Sequence, residues 1–205
     1  MPSRATFHHE RTALSLPERG HARIAVVADT HGAPHPATSK HLLALAPDAI
    51  LHAGDIGDLS VLDELSAIAP LLAVRGNIDG HAPHTPDART LAITDGERTL
   101  SVVLLMHIAV NGPRLRADAA RLARAEQASI VICGHSHVPL LSRERDGVVV
   151  FNPGSIGPRR FHLPIVFGVV ELERDRITMH HVDVETGARW TPAGARAASS
   201  GRAAG

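Results

Sequence analysis

The chain has 205 residues, of which 44% are hydrophobic and 20% charged, a composition that excludes intrinsic disorder and is typical of a globular protein. Its 21 basic and 21 acidic residues balance, so no overall charge draws it to nucleic acid or to an anionic membrane. The single cysteine excludes an internal disulfide, and no apolar run approaches the roughly 20 residues that a membrane span needs.

The two ends of the chain differ in composition from its middle. Residues 1–20 are polar, contain proline and glycine, and lack the continuous apolar segment of a secretory signal. Residues 189–205 consist mainly of small residues without apolar periodicity. We therefore expect a flexible N-terminal tail over residues 1–20, a single domain over 21–188, a low-complexity C-terminal tail over 189–205 and a cytoplasmic location.

Short, nearly continuous apolar runs in the first half are typical of buried strands. They cover residues 23–28, 49–53, 71–74, 100–106 and 130–133. Leucine or isoleucine recurs every three residues between 59 and 68, and a second apolar face lies between 114 and 126. Both patterns predict helices. Strands that alternate with helices indicate βαβ units and a sheet covered by helices.

The second half contains apolar segments that leave no room for helices between them. Residues 138–155 indicate a hairpin that turns near Asp146 and Gly147, and residues 164–184 indicate another that turns near Arg174 and Asp175. An antiparallel portion thus follows the α/β portion. This order predicts an α/β protein in which two sheets pack face to face with helices outside.

A polar residue follows each of the five apolar runs at the point where the predicted strand ends. In open α/β sheets, ligands bind at the carboxyl ends of the strands, so we expect these side chains to converge on one rim. The candidate metal ligands among them are Asp29, His31, Asp55, Asn77, His107, His135 and His137.

Carboxylate, amide and imidazole groups together form a mixed set of oxygen and nitrogen donors. Such a set suits manganese, iron, zinc or nickel and is a poor match for the all-oxygen ligands of calcium. Seven side chains exceed what one ion usually binds, whereas two ions roughly 3.5 to 4 Å apart, sharing a carboxylate, would use them all. Each motif alone also fits a turn or a pair of solvated histidines, but their joint occurrence favours a dinuclear site.

The motifs resemble those of the calcineurin-like metallophosphoesterase superfamily, and most closely its small single-domain branch, which holds bacterial phosphodiesterases and the retromer scaffold subunit. In chain order they are Asp29-x-His31, Gly54-Asp55-x-x-Asp58, Gly76-Asn77-x-Asp79, His107, Gly134-His135-x-His137 and the NPGS sequence at 152–155. The resemblance implies a four-layer α/β/β/α sandwich of two mixed sheets flanked by helices. It also implies two divalent ions, with manganese favoured over iron, zinc or nickel. One would be held by Asp29, His31, Asp55 and His137, and the other by Asp55, Asn77, His107 and His135.

The chain departs from the family pattern at two positions. Many members carry a histidine directly after the asparagine of the third motif, where it can protonate the leaving group, but this chain has Ile78. The general acid is therefore unassigned, and an aryl alcohol, which needs less protonation to leave, would suit such a site. Ile108 replaces a common glycine after His107, which affects the local turn more than ligation. The loop histidines that are candidates for the acid are His81, His84 and His162.

Five residues near the motifs have roles that the sequence leaves between alternatives or assigns to packing. Asp58 and Asp79 either orient the ligands or cap helices. Arg159 and Arg160 either contact a substrate phosphate or form a solvated pair. Cys133 ends an apolar run and is expected in the core.

These features predict a dinuclear-metal-dependent phosphoesterase, a phosphodiesterase or phosphatase that hydrolyses a small phosphorylated molecule. The ions would lower the pKa of a bridging water, and the resulting hydroxide would attack phosphorus directly. Catalysis would then depend, through the metals, on Asp55, Asn77 and His107. The alternative is a non-catalytic metal-binding or protein-interaction scaffold of the same fold, which has no physical need for all seven ligands. A nuclease ranks third, because balanced charge and an aromatic content of 2% leave little to bind nucleic acid.

Overall fold

The structure is a computed structural model that describes residues 7–17, 20–173 and 176–191. Its helices are α1 (Ala37–Leu45), α2 (Ser60–Ser66) and α3 (Ala117–Ala125). Its strands are β1 (His9–Ser15), β2 (His21–Val27), β3 (Ala49–His52), β4 (Leu71–Ala73), β5 (Ala88–Asp95), β6 (Arg98–Met106), β7 (Val110–Asn111), β8 (Arg114–Leu115), β9 (Ile130–Ile132), β10 (Leu140–Arg143), β11 (Val149–Asn152), β12 (Val166–Glu173), β13 (Arg176–Asp183) and β14 (Arg189–Trp190).

Two six-stranded sheets, each with parallel and antiparallel pairs, contain most of the strands. The first has the order β1-β5-β6-β9-β11-β10 and the second β14-β13-β12-β2-β3-β4, while β7 and β8 form a small separate pair. The strands that precede the predicted ligands run parallel to one another within each sheet: β2, β3 and β4 in the second, and β6 and β9 in the first. In each sheet their carboxyl ends therefore meet at one edge.

Apolar packing arranges the sheets and helices in four layers. A central core between the sheets joins Val26 of the second sheet to Phe151 of the first. Helices α1 and α2 cover the outer face of the second sheet through Leu42 and Leu65. Helix α3 covers the outer face of the first sheet, where Ala119 is buried. This arrangement confirms the predicted α/β class and its four-layer α/β/β/α sandwich of two mixed sheets.

Most elements lie where the residue pattern predicted them. The five apolar runs form β2, β3, β4, β6 and β9, and the two expected helices are α2 and α3. All residues of β3 are buried, as a near-continuous apolar strand between two layers requires. Both expected hairpins form, as β10–β11 and β12–β13, although the turn of the second lies outside the described residues. In the described part of the chain, no helix combines the length and the apolar character that crossing a membrane demands.

Two segments expected to be tails contain strands. Residues 9–15 form β1, which pairs in parallel with β5 from His9 opposite Ala88 to Ser15 opposite Thr94. At the other end β14 pairs with β13, and the Trp190 ring meets the His181 ring edge-on at 5.7 Å. The structure therefore corrects the flexible tail expected over 1–20 at residues 9–15, and the tail expected over 189–205 at residues 189–190. Pairing with a distant sheet edge, which local composition does not reveal, is the physical reason. The rest of the expected C-terminal tail, residues 192–205, lies outside the described residues.

Cys133 gives a first test of the packing. It lies fully buried in the cluster beneath α3, and burial raises the pKa of its thiol to about 12. Because the thiolate is the reactive species, we expect no reaction with a disulfide reagent such as DTNB in the native protein and one equivalent of reaction after unfolding in guanidinium chloride. Rapid native-state labelling, absent in a Cys133→Ser variant, would contradict this packing.

Candidate metal centre

The loops that follow β2, β3, β4, β6 and β9 meet at one end of the sandwich. They bring together all of the side chains predicted as ligands from the sequence. The carboxylate and imidazole ligands form two groups, each with donor atoms within 4.8 Å of one another. Asp29, His31 and His137 make up the first group, and Asp55, His107 and His135 the second.

The first group presents two imidazoles and a carboxylate to a common point. Nε2 of His31 lies 3.2 Å from Nε2 of His137, which in turn lies 3.4 Å from Oδ1 of Asp29. The two rings stack with centroids 5.1 Å apart. The other ring nitrogen of His137, Nδ1, is buried and has no hydrogen-bond partner in the described part of the chain. With its proton on Nδ1, a neutral His137 has a lone pair on Nε2, the nitrogen that faces Asp29 and His31, available for a cation.

The second group adds the amide of Asn77. Nε2 of His107 lies 3.1 Å from Oδ1 of Asp55 and 3.2 Å from Oδ1 of Asn77. The Nδ1–H of His107 donates to the backbone oxygen of Ala53 at 2.7 Å, which directs Nε2 toward the ligand atoms. A backbone acceptor for the second nitrogen is the usual way in which a metal-binding histidine is oriented.

Asp55 lies between the two groups. Its Oδ1 faces His107 of the second group, while its Oδ2 lies 3.9 Å from Nε2 of His31 in the first. Burial alone would raise the pKa of this carboxyl, but the hydrogen bond and the positive charge of a protonated His107, together with the hydrogen bond from the Ile78 amide, outweigh it and lower the pKa to about 2. Asp55 is thus a carboxylate with one oxygen directed to each side, the geometry that a shared ligand requires.

The donor atoms fit two divalent cations. Oxygen and nitrogen donors are mixed, thiolate is absent from the seven ligands, and the two carboxylates are both nearly inaccessible to solvent. Burial raises the pKa of Asp29 to about 7, so this carboxyl ionises fully at neutral pH only with a positive charge beside it. Burial and then the charge of Arg160 lower the pKa of His137 to about 4, which keeps its ring neutral. Buried carboxylates that need positive charge, beside a neutral imidazole at His137, suit a metal ion.

Unusual backbone conformations concentrate at this site. Eight non-glycine residues among those described have positive φ. Five of the eight are predicted ligands: Asp29 (55°), His31 (48°), Asp55 (55°), His135 (69°) and His137 (57°). The left-handed region costs an ordinary residue roughly 1–2 kcal/mol, and such strain clusters where function requires a particular side-chain direction. Its concentration at the ligands is therefore evidence of a functional site.

Asp79 joins the loops that carry the ligands of the second sheet. Its carboxylate accepts hydrogen bonds from the backbone N–H groups of Ile56 (3.0 Å), Gly57 (2.9 Å) and Gly76 (2.7 Å). These bonds support the interpretation that Asp79 orients the ligand loops. Asp58, in contrast, is exposed and accepts from the N–H of Ser60 at the start of α2 (2.9 Å), as the helix-cap alternative expects.

Residues of the NPGS motif hold the loops of two predicted ligands, a role that was not predicted from the sequence. Asn152 donates from Nδ2 to the backbone oxygen of Gly134 (2.7 Å) and to Oγ of Ser136 (3.1 Å), which holds the loop of His135. Ser155 donates from Oγ to the backbone oxygen of Asp29 (3.0 Å). The motif itself is a signal for this region, but its contacts join segments that are distant in sequence and so could not be predicted.

Thr30 and His52 form a buried pair close to the ligands in sequence. Nδ1 of His52 accepts from the N–H of Gly54 (3.1 Å), so its proton is on Nε2, which donates to Oγ1 of Thr30 (3.0 Å). Oγ1 of Thr30 donates in turn to the backbone oxygen of Ile56 (2.8 Å). This chain of bonds joins the loops after β2 and β3. The apolar run before Gly54 predicts His52 as a packed or supporting residue, but its bond to Thr30 has no signal in the sequence.

The position next to Asn77 offers no proton. Ile78 is about half exposed (49%), and its backbone N–H, not its side chain, contacts Oδ1 of Asp55 (3.3 Å). His81 lies 3.4 Å from the guanidinium of Arg75, and both His84 and His162 are exposed loop residues. The general acid therefore stays unassigned.

Comparison with known proteins gives the same family from the sequence. Residues 23–175 match the family model of the calcineurin-like phosphoesterase superfamily domain. A protein of Methanothermobacter thermautotrophicus named "Probable metallophosphoesterase" is 35% identical over 140 residues, which are 64% of this chain and 76% of that protein.

Solved structures share the fold. Vps29 from Entamoeba histolytica, complexed with Zn²⁺, superposes with a TM-score of 0.64 and 20% identity over 82% of this chain and 96% of that one. YfcE, a phosphoesterase from E. coli, superposes with a TM-score of 0.55 and 19% identity over 82% and 97%. At these identities the likeness concerns the fold, which two proteins with different descriptions share.

Proposed function

The chain belongs to the calcineurin-like phosphoesterase superfamily, and from this premise we propose that it is an active dinuclear-metal-dependent phosphoesterase. Its substrate is a small phosphorylated molecule, most readily a phosphodiester. The position of Asp55 carries the proposal, because its two carboxylate oxygens face separate groups of donors. A carboxylate placed in this way is what a pair of ions needs and what a single ion does not.

Each ligand has a distinct task in this proposal. When bound, two divalent ions neutralise charge on the phosphate and lower the pKa of a water molecule to near neutrality, which supplies the nucleophile. Asp55 would hold both ions at a fixed separation. His107, oriented by Ala53, and Asn77 would complete the second site, while Asp29, His31 and His137 would complete the first. Manganese suits this mixed set; iron, zinc and nickel are the alternatives.

The substrate follows from what the site lacks. Ile78 cannot protonate a leaving alcohol, so the barrier for a poor leaving group stays high. An aryl alcohol leaves as a stabilised anion and needs less protonation. We therefore propose that esters with good leaving groups are the best substrates.

We place the enzyme in the cytoplasm because a chain with one cysteine has no disulfide to maintain.

Removal of metal tests the proposal directly. We expect the protein as purified to hold close to two transition-metal ions per chain by elemental analysis, and to hydrolyse bis-p-nitrophenyl phosphate in the presence of Mn²⁺. Chelation followed by desalting should abolish turnover, and Mn²⁺ should restore it, because the proposed nucleophile is a metal-activated water. Neither the buried thiol of Cys133 nor the hydrogen-bonded hydroxyls of Ser136 and Ser155 would replace it. Turnover that survives complete metal removal would contradict the proposal.

A scaffold remains the second candidate. The observation in its favour is the fold shared with Vps29 together with the missing acid at Ile78. Metal-loaded protein that hydrolyses neither aryl diesters nor aryl monoesters would favour the scaffold over the enzyme.

A further inference from the structure

Two consecutive arginines follow the NPGS sequence, and the structure gives them different partners. Arg159 donates from Nη1 to the backbone oxygen of Leu163 (3.1 Å) and pairs through Nη2 with Glu185 (2.5 Å). These contacts tie the loop over residues 157–163 to the body of the protein. Arg160 instead extends over the ligand cluster, where its Nη2 lies 3.1 Å from Nε2 of His31. The first arginine holds the loop, and the second points at the site.

Arg160 faces the first group of ligands through its contact with His31, whose Nε2 also lies 3.2 Å from Nε2 of His137. Arg160 is exposed, and an imidazole nitrogen that serves as a metal ligand cannot also accept its hydrogen bond. The guanidinium thus needs another partner when the ligands are in use.

Charge balance identifies the kind of partner. Two divalent ions bring four positive charges, while Asp29 and Asp55 are the carboxylates among the seven proposed ligands, which leaves two positive charges before Arg160 adds a third. A guanidinium beside two cations is repelled unless an anion lies between them. A phosphate ester is such an anion, and its unesterified oxygens match the planar donors of arginine.

Three of the exposed large hydrophobic residues in the described chain directly follow residues of the site or of the loop over it in sequence. Ile78 follows Asn77, Val138 follows His137, and Phe161 follows Arg160. Phe161 is 91% exposed and has a φ of 52°, which is rare for a bulky residue. Exposed apolar groups close to a polar site are typical of a surface that receives an apolar group.

We infer that residues 157–163 form a substrate-recognition loop for a phosphodiester with an aromatic ester group, in which Arg160 binds an unesterified phosphate oxygen and Phe161 contacts the aromatic ring. This inference rests on the proposed function and extends it to a substrate class. Arg159 acts as a positioning residue that fixes the loop. An aromatic ester group is also what the lack of a general acid at Ile78 favours, because an aryl alcohol needs less protonation to leave. That argument does not depend on Arg160 or Phe161.

The test separates the two roles in the full-length, Mn²⁺-loaded protein. Binding of inorganic phosphate is measured by calorimetry, alongside metal content. Arg160→Ala should retain the metal and bind phosphate roughly 10- to 100-fold more weakly, the loss expected for a hydrogen bond to a charged group. Arg160→Lys keeps the charge without the planar donors and should fall between Arg160→Ala and the wild type. Arg145→Ala, at an exposed position in the β10–β11 turn, is the matched control and should bind phosphate normally.

Phe161 is tested with two diesters that release the same p-nitrophenolate. Bis-p-nitrophenyl phosphate has a second aromatic group, whereas methyl p-nitrophenyl phosphate has none. Phe161→Ala should lower kcat/KM for the first roughly 3- to 10-fold and leave the second and the binding of phosphate unchanged. Leu43→Ala, at an exposed leucine on α1, should affect neither substrate.

The outcomes distinguish this inference from the function on which it rests. Wild-type phosphate affinity in Arg160→Ala, or an equal loss on both diesters in Phe161→Ala, would overturn the inference while the enzyme stays active. Wild-type protein that binds two ions but neither binds phosphate nor hydrolyses either diester would overturn the proposed function itself.

Discussion

Asp55→Asn is expected to lower metal-dependent hydrolysis of bis-p-nitrophenyl phosphate about a thousandfold and to reduce the metal content from two ions per chain to one or none. The amide has one oxygen and no charge, so it cannot serve both groups of donors. The stabilisation of transition-state charge by bound metal is worth several kcal/mol, and each roughly 1.4 kcal/mol is a factor of ten in rate. Elemental analysis and initial rates at saturating Mn²⁺ measure the two effects.

Asp58→Asn is the matched control for this change. Asp58 lies three residues along the same loop, is exposed, and uses Oδ1 to accept from Ser60, a bond that an asparagine oxygen can also accept. We expect its metal content and rate to equal those of the wild type. A pair of ions retained in Asp55→Asn, with undiminished turnover, would mean that the metal centre is not built around this residue.

The parts of the fold that sequence patterns predicted are those set by local chemistry. Apolar runs such as residues 49–53 become strands because a strand between two layers must be apolar on both faces. Helix α1 was missed because its sequence, Ala37–Leu45, follows Pro36 and buries few residues, among them Thr38 and Leu42. Strand β1 was missed because its partner, β5, lies about 80 residues away along the chain. Pairing between distant segments leaves little trace in either sequence alone.

The same division holds at the site. Polar residues at the ends of strands could be recognised as candidate ligands, since parallel strands bring their carboxyl ends to one edge. The residues that support these candidate ligands were predicted only in part: Asp79 as one of two alternatives, and Asn152 not at all. Asp79 and Asn152 act through hydrogen bonds to backbone groups of other loops, and any residue type presents the same backbone groups. Arg159 and Arg160 are adjacent residues of the same type, and their contacts differ because Arg159 pairs with Glu185.

Gly76→Ala is expected to destabilise the metal-free protein by about 1–3 kcal/mol, the usual cost of forcing extra volume into a packed region, and to weaken metal binding as well. A Cβ at this position would lie 2.1 Å from Oδ1 and 2.2 Å from the backbone nitrogen of Asp55. A change of the Asp55 rotamer could move Oδ1, but it would leave the clash with the backbone nitrogen. The loop must move, and Asp55 moves with it.

Urea denaturation of the chelated protein measures the loss of stability, and Mn²⁺ titration followed by calorimetry measures the loss of affinity. Gly80→Ala is the control, since a Cβ there meets nothing within 4 Å; it should change the free energy of unfolding by less than about 1 kcal/mol and leave metal affinity unchanged. If Gly76→Ala lowers stability but binds both ions as tightly as the wild type, metal binding does not depend on the position of Asp55 that the close approach of Gly76 fixes. Loss of both properties together would mean that the close approach of these two backbones sets the position of the shared ligand, because only a residue without a side chain permits it.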